Sequence, residues 1–289
     1  MSDIQNIQWF PGHMKKTERK IKEYLPLIDA VAEIIDARIP VSSRNPDLAG
    51  IIAGKPKLIL MNKCDIADKK ATEKWIEYYR SQGVIAIPVD CKSGKGTDNF
   101  IAAAKKLLTE KLAQNEAKGM VGKTLKIMVV GIPNVGKSSF INRMAKNAKA
   151  KVEDRPGVTR GNQWFKIDDK LEILDTPGVL WPKFDDMQVG ERLAFTGAVK
   201  DNVVDIETLA FRLCEFLSQY YPSLIKERYG VDCEGYEPWD LVLTIGKKRG
   251  FLVRGGEVDT ERTATVLLNE YRGGKLGNLT LEHPDFSEE

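Results

Sequence analysis

Gly131-Ile132-Pro133-Asn134-Val135-Gly136-Lys137-Ser138 decides how this chain is to be read. It fits the G-x-x-x-x-G-K-[ST] pattern of a phosphate-binding loop. An apolar run over 127–131 precedes it and a helical stretch over 137–147 follows, the strand–loop–helix context that the pattern requires. There, backbone N–H groups and a helix N-terminus offer fixed positive potential to phosphates. Lys137 adds a charge at the β- and γ-phosphates, and Ser138 a hydroxyl ligand for Mg²⁺. The span from Asn134 and Val135 through Gly136 to Ser139 is therefore the expected phosphate cradle.

Working outward, Asp175-Thr176-Pro177-Gly178 follows 38 residues after Lys137. Asp175 closes an apolar run and is a second candidate to hold Mg²⁺, through water, while Gly178 can give its N–H to a γ-phosphate. Between this element and the phosphate loop, Arg155-Pro156-Gly157-Val158-Thr159-Arg160-Gly161 offers Thr159 as a further Mg²⁺ ligand that orders with the γ-phosphate, or else as an ordinary loop residue. Val179, Leu180 and Trp181 follow Gly178, so no Gln or His stands there to orient water. His13, in Phe10-Pro11-Gly12-His13-Met14, is the candidate for that role, or else a surface or capping residue.

Asn62-Lys63-Cys64-Asp65 lies on the other side, before the phosphate loop. Ionised Asp65 accepts two hydrogen bonds and so matches guanine N1–H and N2–H₂. Adenine would leave that carboxylate unpaired, a mismatch worth about 10⁴ in discrimination. Lys63 is expected along the base plane, and Asn62 as the tie between base loop and phosphate loop. Asp90-Cys91-Lys92 takes the place of a loop that supports the guanine O6, with a plain turn as the alternative reading.

Short apolar runs at 31–36, 58–61, 85–89, 127–131, 164–167 and 171–175 read as strands, and 69–82, 97–114 and 137–147 as helices. The alternation predicts an α/β, doubly wound, mostly parallel sheet. Beyond residue 181 the pattern turns helical, at 188–200, 205–220, 238–248 and 260–272, without a strand. Two domains are expected, 1–181 binding nucleotide and 182–289 all-helical, with a loosely held tail from residue 273.

The 289 residues carry 44 Lys+Arg against 41 Asp+Glu, and this near balance hides an asymmetry. Residues 1–179 hold 31 basic against 21 acidic side chains, and residues 180–289 hold 13 against 20. A basic body suits a polyanion partner, or simply solubilises the domain. The four cysteines have no C-x-x-C spacing and there are two histidines, which argues against a zinc site. No apolar run reaches the 18 or so residues of a membrane helix, and 1–22 lack a secretory signal. A reduced cytoplasmic compartment is the expectation.

The order base loop, phosphate loop, switch element resembles that of the circularly permuted GTPases. Trp9-Phe10-Pro11-Gly12-His13-Met14, Asp36-Ala37-Arg38-Ile39-Pro40 and Ser42-Ser43-Arg44-Asn45-Pro46, with the nucleotide motifs, resemble the bacterial ribosome biogenesis GTPase A family. The resemblance covers essentially the whole chain. It implies a permuted GTP-binding domain followed by a smaller helical one, and GTP hydrolysis stimulated by the large ribosomal subunit late in its maturation. It also implies ribosomal RNA contact by the helical domain, for which Lys247, Lys248, Arg249 and Arg254 are candidates, and a role for His13 in hydrolysis. Asn134 is the position at which such GTPases hold K⁺. A monomer is expected. The competing reading is a guanine-nucleotide-sensing RNA-binding scaffold with negligible hydrolysis, or a permuted GTPase of another ribosomal particle.

Overall fold

The computed structural model describes residues 12–120, 123–147, 152–153, 163–181, 184 and 186–284. These residues form two compact units: those up to 181 with 282–284 in one, and 184–281 in the other.

The first unit opens with α1 (Gly12–Tyr24) and β1 (Ala30–Asp36), followed by α2 (Pro46–Ile52), β2 (Lys57–Asn62), α3 (Lys69–Ser81) and β3 (Ile85–Val89). Then come α4 (Asn99–Leu107), α5 (Thr109–Ala117), β4 (Leu125–Val130), α6 (Lys137–Asn147), β5 (Val152–Glu153), β6 (Trp164–Asp168) and β7 (Leu171–Asp175). The strands form one sheet in the order β3-β2-β1-β4-β7-β6-β5. The first five of that order run parallel, and β6 and β5 add antiparallel at the edge. β1 is buried along its whole length, as a strand covered on both faces must be. Ile35, Ala37, Ile59 and Met61 pack with Trp75 and Tyr79 of α3. Phe100 of α4 meets Phe140 of α6 edge to face with centroids 5.0 Å apart.

Local chemistry explains two departures from the periodicity. The expected helix over 97–114 is two helices broken at Leu108. The Thr109 hydroxyl donates to the Lys105 and Lys106 carbonyls there, in competition with the backbone ladder. The additional helix α2 starts because Asn45 Oδ1 accepts from the Asp47 and Leu48 N–H groups, with Pro46 at the first helical position.

The second unit holds α7 (Met187–Phe195), α8 (Ile206–Tyr220), α9 (Pro222–Tyr229), α10 (Pro238–Lys248) and α11 (Thr260–Arg272). Leu209, Leu213 and Leu217 of α8 are buried along with Leu241 and Ile245 of α10 and Leu267 and Leu268 of α11, and α8 packs on both partners. α9 lies outside the expected helices, although Pro222 at its start and left-handed Gly230 at its end bracket it. Glu270 binds α11 to its neighbours: its carboxylate accepts from Arg228 and Tyr229 of α9 and from Arg249 after α10. Among the described residues of this unit, the extended pairing is a single bridge, Leu252 to Val258.

Residues 273–284 are not the loose tail that the glycines there suggested. Leu276, Leu279, Thr280 and Leu281 are buried, and so is Glu282. The Glu282 carboxylate accepts from the Val41 and Ser42 N–H groups at 2.5 and 3.0 Å and from the Ser42 hydroxyl. Its carbonyl accepts from the Trp75 indole at 2.8 Å.

Candidate guanine-nucleotide site

In an open parallel sheet, ligands gather where strands end and the strand order reverses. β2, β3, β4 and β7 end at Asn62, Val89, Val130 and Asp175, and each is followed by one of the motifs picked out in the sequence. Asn62 joins three of the loops. Its side-chain amide donates to the Val135 carbonyl at 2.5 Å, and its Oδ1 accepts from the Cys91 N–H at 2.9 Å. Asn62 is buried, so both bonds are shielded from water. Gly136, with φ +101°, has no room for a side chain, because a Cβ would collide with the Asn62 amide.

Lys63 sits in the left-handed region at φ +63°, and its ammonium lies 2.9 Å from the buried Asp36 carboxylate. Asp65 is exposed, three residues beyond the end of β2. The next loop is shaped by Asp90, whose carboxylate accepts from the Lys92 and Ser93 N–H groups at 2.8 and 3.2 Å. Burial works against that charge, but the hydrogen bonds from Ser93 and Lys92 outweigh it and hold Asp90 below the usual carboxylate range. Arg143 of α6 donates to the Lys92 carbonyl at 2.5 Å. Burial, with Asp90 nearby, pushes the Cys91 thiol up to about 12, so it stays protonated.

In the phosphate loop, Asn134 is exposed with φ +61°, and Ser138 and Ser139 are exposed on the first turn of α6. The buried Lys137 ammonium donates to the carbonyls of Gly131 and Ile132 at 3.0 and 2.7 Å. Burial lowers Lys137 to about 8, with Asp175 pulling the other way. Burial raises Asp175, and Lys137 opposes the rise. The Thr176 hydroxyl donates to the Val129 carbonyl at 2.6 Å and fastens the start of the switch element to β4. A Cβ on Gly178 would stand 2.8 Å from both Lys137 Nζ and Pro133 N. Val179 donates to the Gly131 carbonyl at 3.2 Å and accepts from the Asn45 amide at 3.1 Å. Val179, Leu180 and Trp181 are all buried, so the residues after Gly178 turn inward.

Thr159 falls outside the described residues. His13 is the second residue of α1, and its side chain is likewise outside them. Sequence reasoning assigned no role to Asp36, Arg38, Asn45, Arg143 or Thr176. The signal was present for Asn45, an N-cap residue before proline, and absent for Arg143, whose partner lies 51 residues away. Ser138 and Asp175 would offer oxygen donors only, a chemistry that suits a hard cation such as Mg²⁺. Among the described residues no His/Cys/Asp/Glu cluster forms a protein-only metal cage, and no helix is long and apolar enough to cross a membrane.

A family model described as 50S ribosome-binding GTPase matches residues 126–217. Ribosome biogenesis GTPase A of Bacillus cereus is 47% identical over 279 residues, spanning 96% of this chain and 94% of that protein. The Priestia megaterium protein of the same name is 46% identical over 98% of this chain and 99% of its own length. Among solved structures, GNP-bound YlqF from T. maritima matches with a TM-score of 0.66 at 27% identity, covering 93% of this chain and 99% of that one. A GDP-bound YlqF structure matches at 0.65 and the same identity, over 92% and 100%. With relatives this similar aligned nearly end to end, and a phosphate loop that follows the base loop on the same sheet edge, the chain is a circularly permuted GTPase and belongs to the ribosome biogenesis GTPase A family.

Proposed function

We propose that this GTPase acts late in assembly of the large ribosomal subunit, and that the particle stimulates its hydrolysis of GTP to GDP and phosphate. The likeness to ribosome biogenesis GTPase A over nearly the whole chain supports the ribosomal role, and the Asn62 bridge, which ties the base, phosphate and 90–96 loops together, supports the nucleotide site. In this reading Asp65 reads guanine, and Lys63 with residues 90–92 lines the base. Asn134, Val135, Gly136, Lys137, Ser138 and Ser139 take the phosphates. Ser138, Asp175 and Thr159 hold Mg²⁺, which neutralises phosphate charge when bound. Asn134 holds K⁺. His13 takes part in hydrolysis, since the inward turn of Val179–Trp181 leaves no water-orienting side chain after Gly178.

The helical C-terminal domain is the RNA-contacting one, for which Lys247, Lys248, Arg249 and Arg254 supply cationic groups. The protein works as a cytoplasmic monomer. Particles that prefer the GTP-ordered loops bind that state, and hydrolysis releases the protein. Single-turnover GTP hydrolysis with no particle, with 30S and with 50S subunits, in potassium and in sodium buffers, tests the proposal. Strong acceleration by 50S particles is expected. Acceleration by 30S particles alone, or none by either, overturns the assignment to the large subunit.

A further inference from the structure

The segment Asp36-Ala37-Arg38 carries charged groups for which nucleotide chemistry has no obvious use, yet it is among the most deeply buried in the unit. Asp36 and Arg38 are each 1% exposed. The guanidinium meets the carboxylate with two bonds, Nε to Oδ1 at 2.9 Å and Nη2 to Oδ2 at 2.8 Å. The Arg38 N–H adds a third at 3.0 Å. Burying such a pair carries a large desolvation penalty and is weak evidence for stability by itself. The remaining partner is what distinguishes it: Asp36 Oδ2 also takes the Lys63 ammonium at 2.9 Å.

Lys63 needs such a partner. A non-glycine residue at φ +63° is strained relative to right-handed backbone. Its ammonium is on a flexible stem with many rotamers to lose. The Asp36 carboxylate is fixed by three Arg38 bonds, while the Asp36 N–H is fixed by the Ser43 hydroxyl at 3.0 Å. The adjoining Ala37 N–H donates to the Asn62 carbonyl at 2.8 Å. Asn62 is thus clamped from the phosphate-loop side and Lys63 from the β1 side. Burial opposes the Asp36 charge, but Arg38 and Lys63 outweigh it and hold the carboxyl well below its usual range, so it is an anion at any working pH.

We infer that Asp36 is a positioning residue for guanine-nucleotide binding: held rigid by Arg38, its carboxylate fixes Lys63 in the conformation that receives the base. This rests on the reading of Asn62–Asp65 as the base loop, and the experiment separates the two.

Dissociation constants for GDP are measured for the full chain and for Asp36→Asn, Lys63→Met and the double variant. Asp36→Asn is expected to weaken GDP roughly tenfold, the scale of one charge-assisted hydrogen bond. Lys63→Met is expected to weaken it at least as much. The double variant should bind no worse than Lys63→Met alone, because Asp36 acts through that side chain. For hydrolysis the effect should fall on KM, with kcat nearly constant, a split that general loosening of the fold would not give. If Asp36→Asn leaves Arg38 too poorly compensated to fold, Asp36→Asn with Arg38→Met removes both buried charges together and replaces it. Unchanged GDP affinity in Lys63→Met overturns the base-loop reading and the inference with it. A loss in Lys63→Met without one in the Asp36 variants, or penalties that add in the double variant, overturns the inference alone.

Discussion

The side-chain amide of Asn62 reaches the backbone carbonyl of Val135 at 2.5 Å, across 73 residues of sequence. The permutation makes this contact informative. The base loop and phosphate loop belong to different halves of the unit, carried by β2 and β4 with β1 between them, and one buried side chain sets their separation.

Asn62→Ala removes that bond and also the acceptor for the Cys91 N–H. Two buried backbone groups are left unmatched, at about 1–3 kcal/mol each. Unfolding free energy from urea titration is expected to fall by that order. Affinity for GDP and GTP should drop more than tenfold and in parallel, since the distance between the two ends of the ligand is no longer fixed. A variant with normal nucleotide affinity would show that the loops are held by something else.

Gly178→Ala places a methyl 2.8 Å from Lys137 Nζ and 2.8 Å from the Pro133 nitrogen. Lysine can shift but the proline backbone cannot, so the switch element must move away from the phosphate loop. Hydrolysis under single-turnover conditions should fall at least tenfold, with GTP affinity reduced more than GDP affinity. Equal loss for both nucleotides would mean that Gly178 does not approach the γ-phosphate.

Much of this site was legible because its motifs are local. Each loop follows an apolar strand and carries its own signature, so Asn62-Lys63-Cys64-Asp65 and Gly131–Ser138 needed no tertiary knowledge. What escaped the sequence was pairing over distance. Nothing near Ser42 announces that Glu282, 240 residues later, supplies its acceptor. Nor does the glycine-rich composition after residue 272 reveal that Leu276, Leu279 and Leu281 are buried. Asp36 and Arg38 looked like family markers, and only the buried geometry ties them to Lys63. α2 and α9 are short, 7 and 8 residues, so their caps outweigh any periodicity that so few positions can show.

Glu282→Ala strips the acceptor from the Val41 and Ser42 N–H groups and from the Ser42 hydroxyl. Destabilisation of about 2–4 kcal/mol is expected from chemical denaturation, since the buried Ser42 N–H and hydroxyl, with the Val41 N–H, are left without their acceptor. Glu282→Gln, which keeps a carbonyl acceptor, should recover part of it. Ending the chain after Leu281 additionally removes the acceptor of the Trp75 indole and should shift the fluorescence of that residue. Wild-type stability in the alanine variant would refute the role assigned to this carboxylate.

Acid should act selectively on the helical unit through Glu270. Hydrogen bonding from Arg228, with further help from Tyr229 and Arg249, brings its carboxyl down to about 2 against burial. A depressed carboxyl pKa means that the unfolded chain binds more protons than the folded one between about 2 and 4.5. The stability it contributes is therefore complete above pH 4.5 and is lost as pH falls towards 2. Urea unfolding at pH 7 should show Glu270→Gln clearly weaker than the wild type, and the gap should narrow by pH 3. A gap independent of pH would place the effect in packing instead of charge.

Asp65 provides the sharpest test of ligand identity. Its carboxylate is exposed beyond β2, on a loop that begins at Asn62 and Lys63, which are pinned by Val135 and Asp36. A rigid approach to the loop lets one acceptor group define which purine edge fits. Guanine offers two donors to it, whereas xanthine replaces the exocyclic amine by a carbonyl. Asp65→Asn supplies a donor and an acceptor in the same volume, so it should lose GTP affinity by about 10²-fold or more and gain for xanthosine triphosphate. Because the substitution is isosteric on a solvent-facing side chain, the fold and its thermal midpoint should be unaffected. Competition against labelled GDP reads both nucleotides in one titration. If the order of preference between guanine and xanthine triphosphates does not change, the base lies elsewhere, and the frame built by Asn62 serves some other ligand.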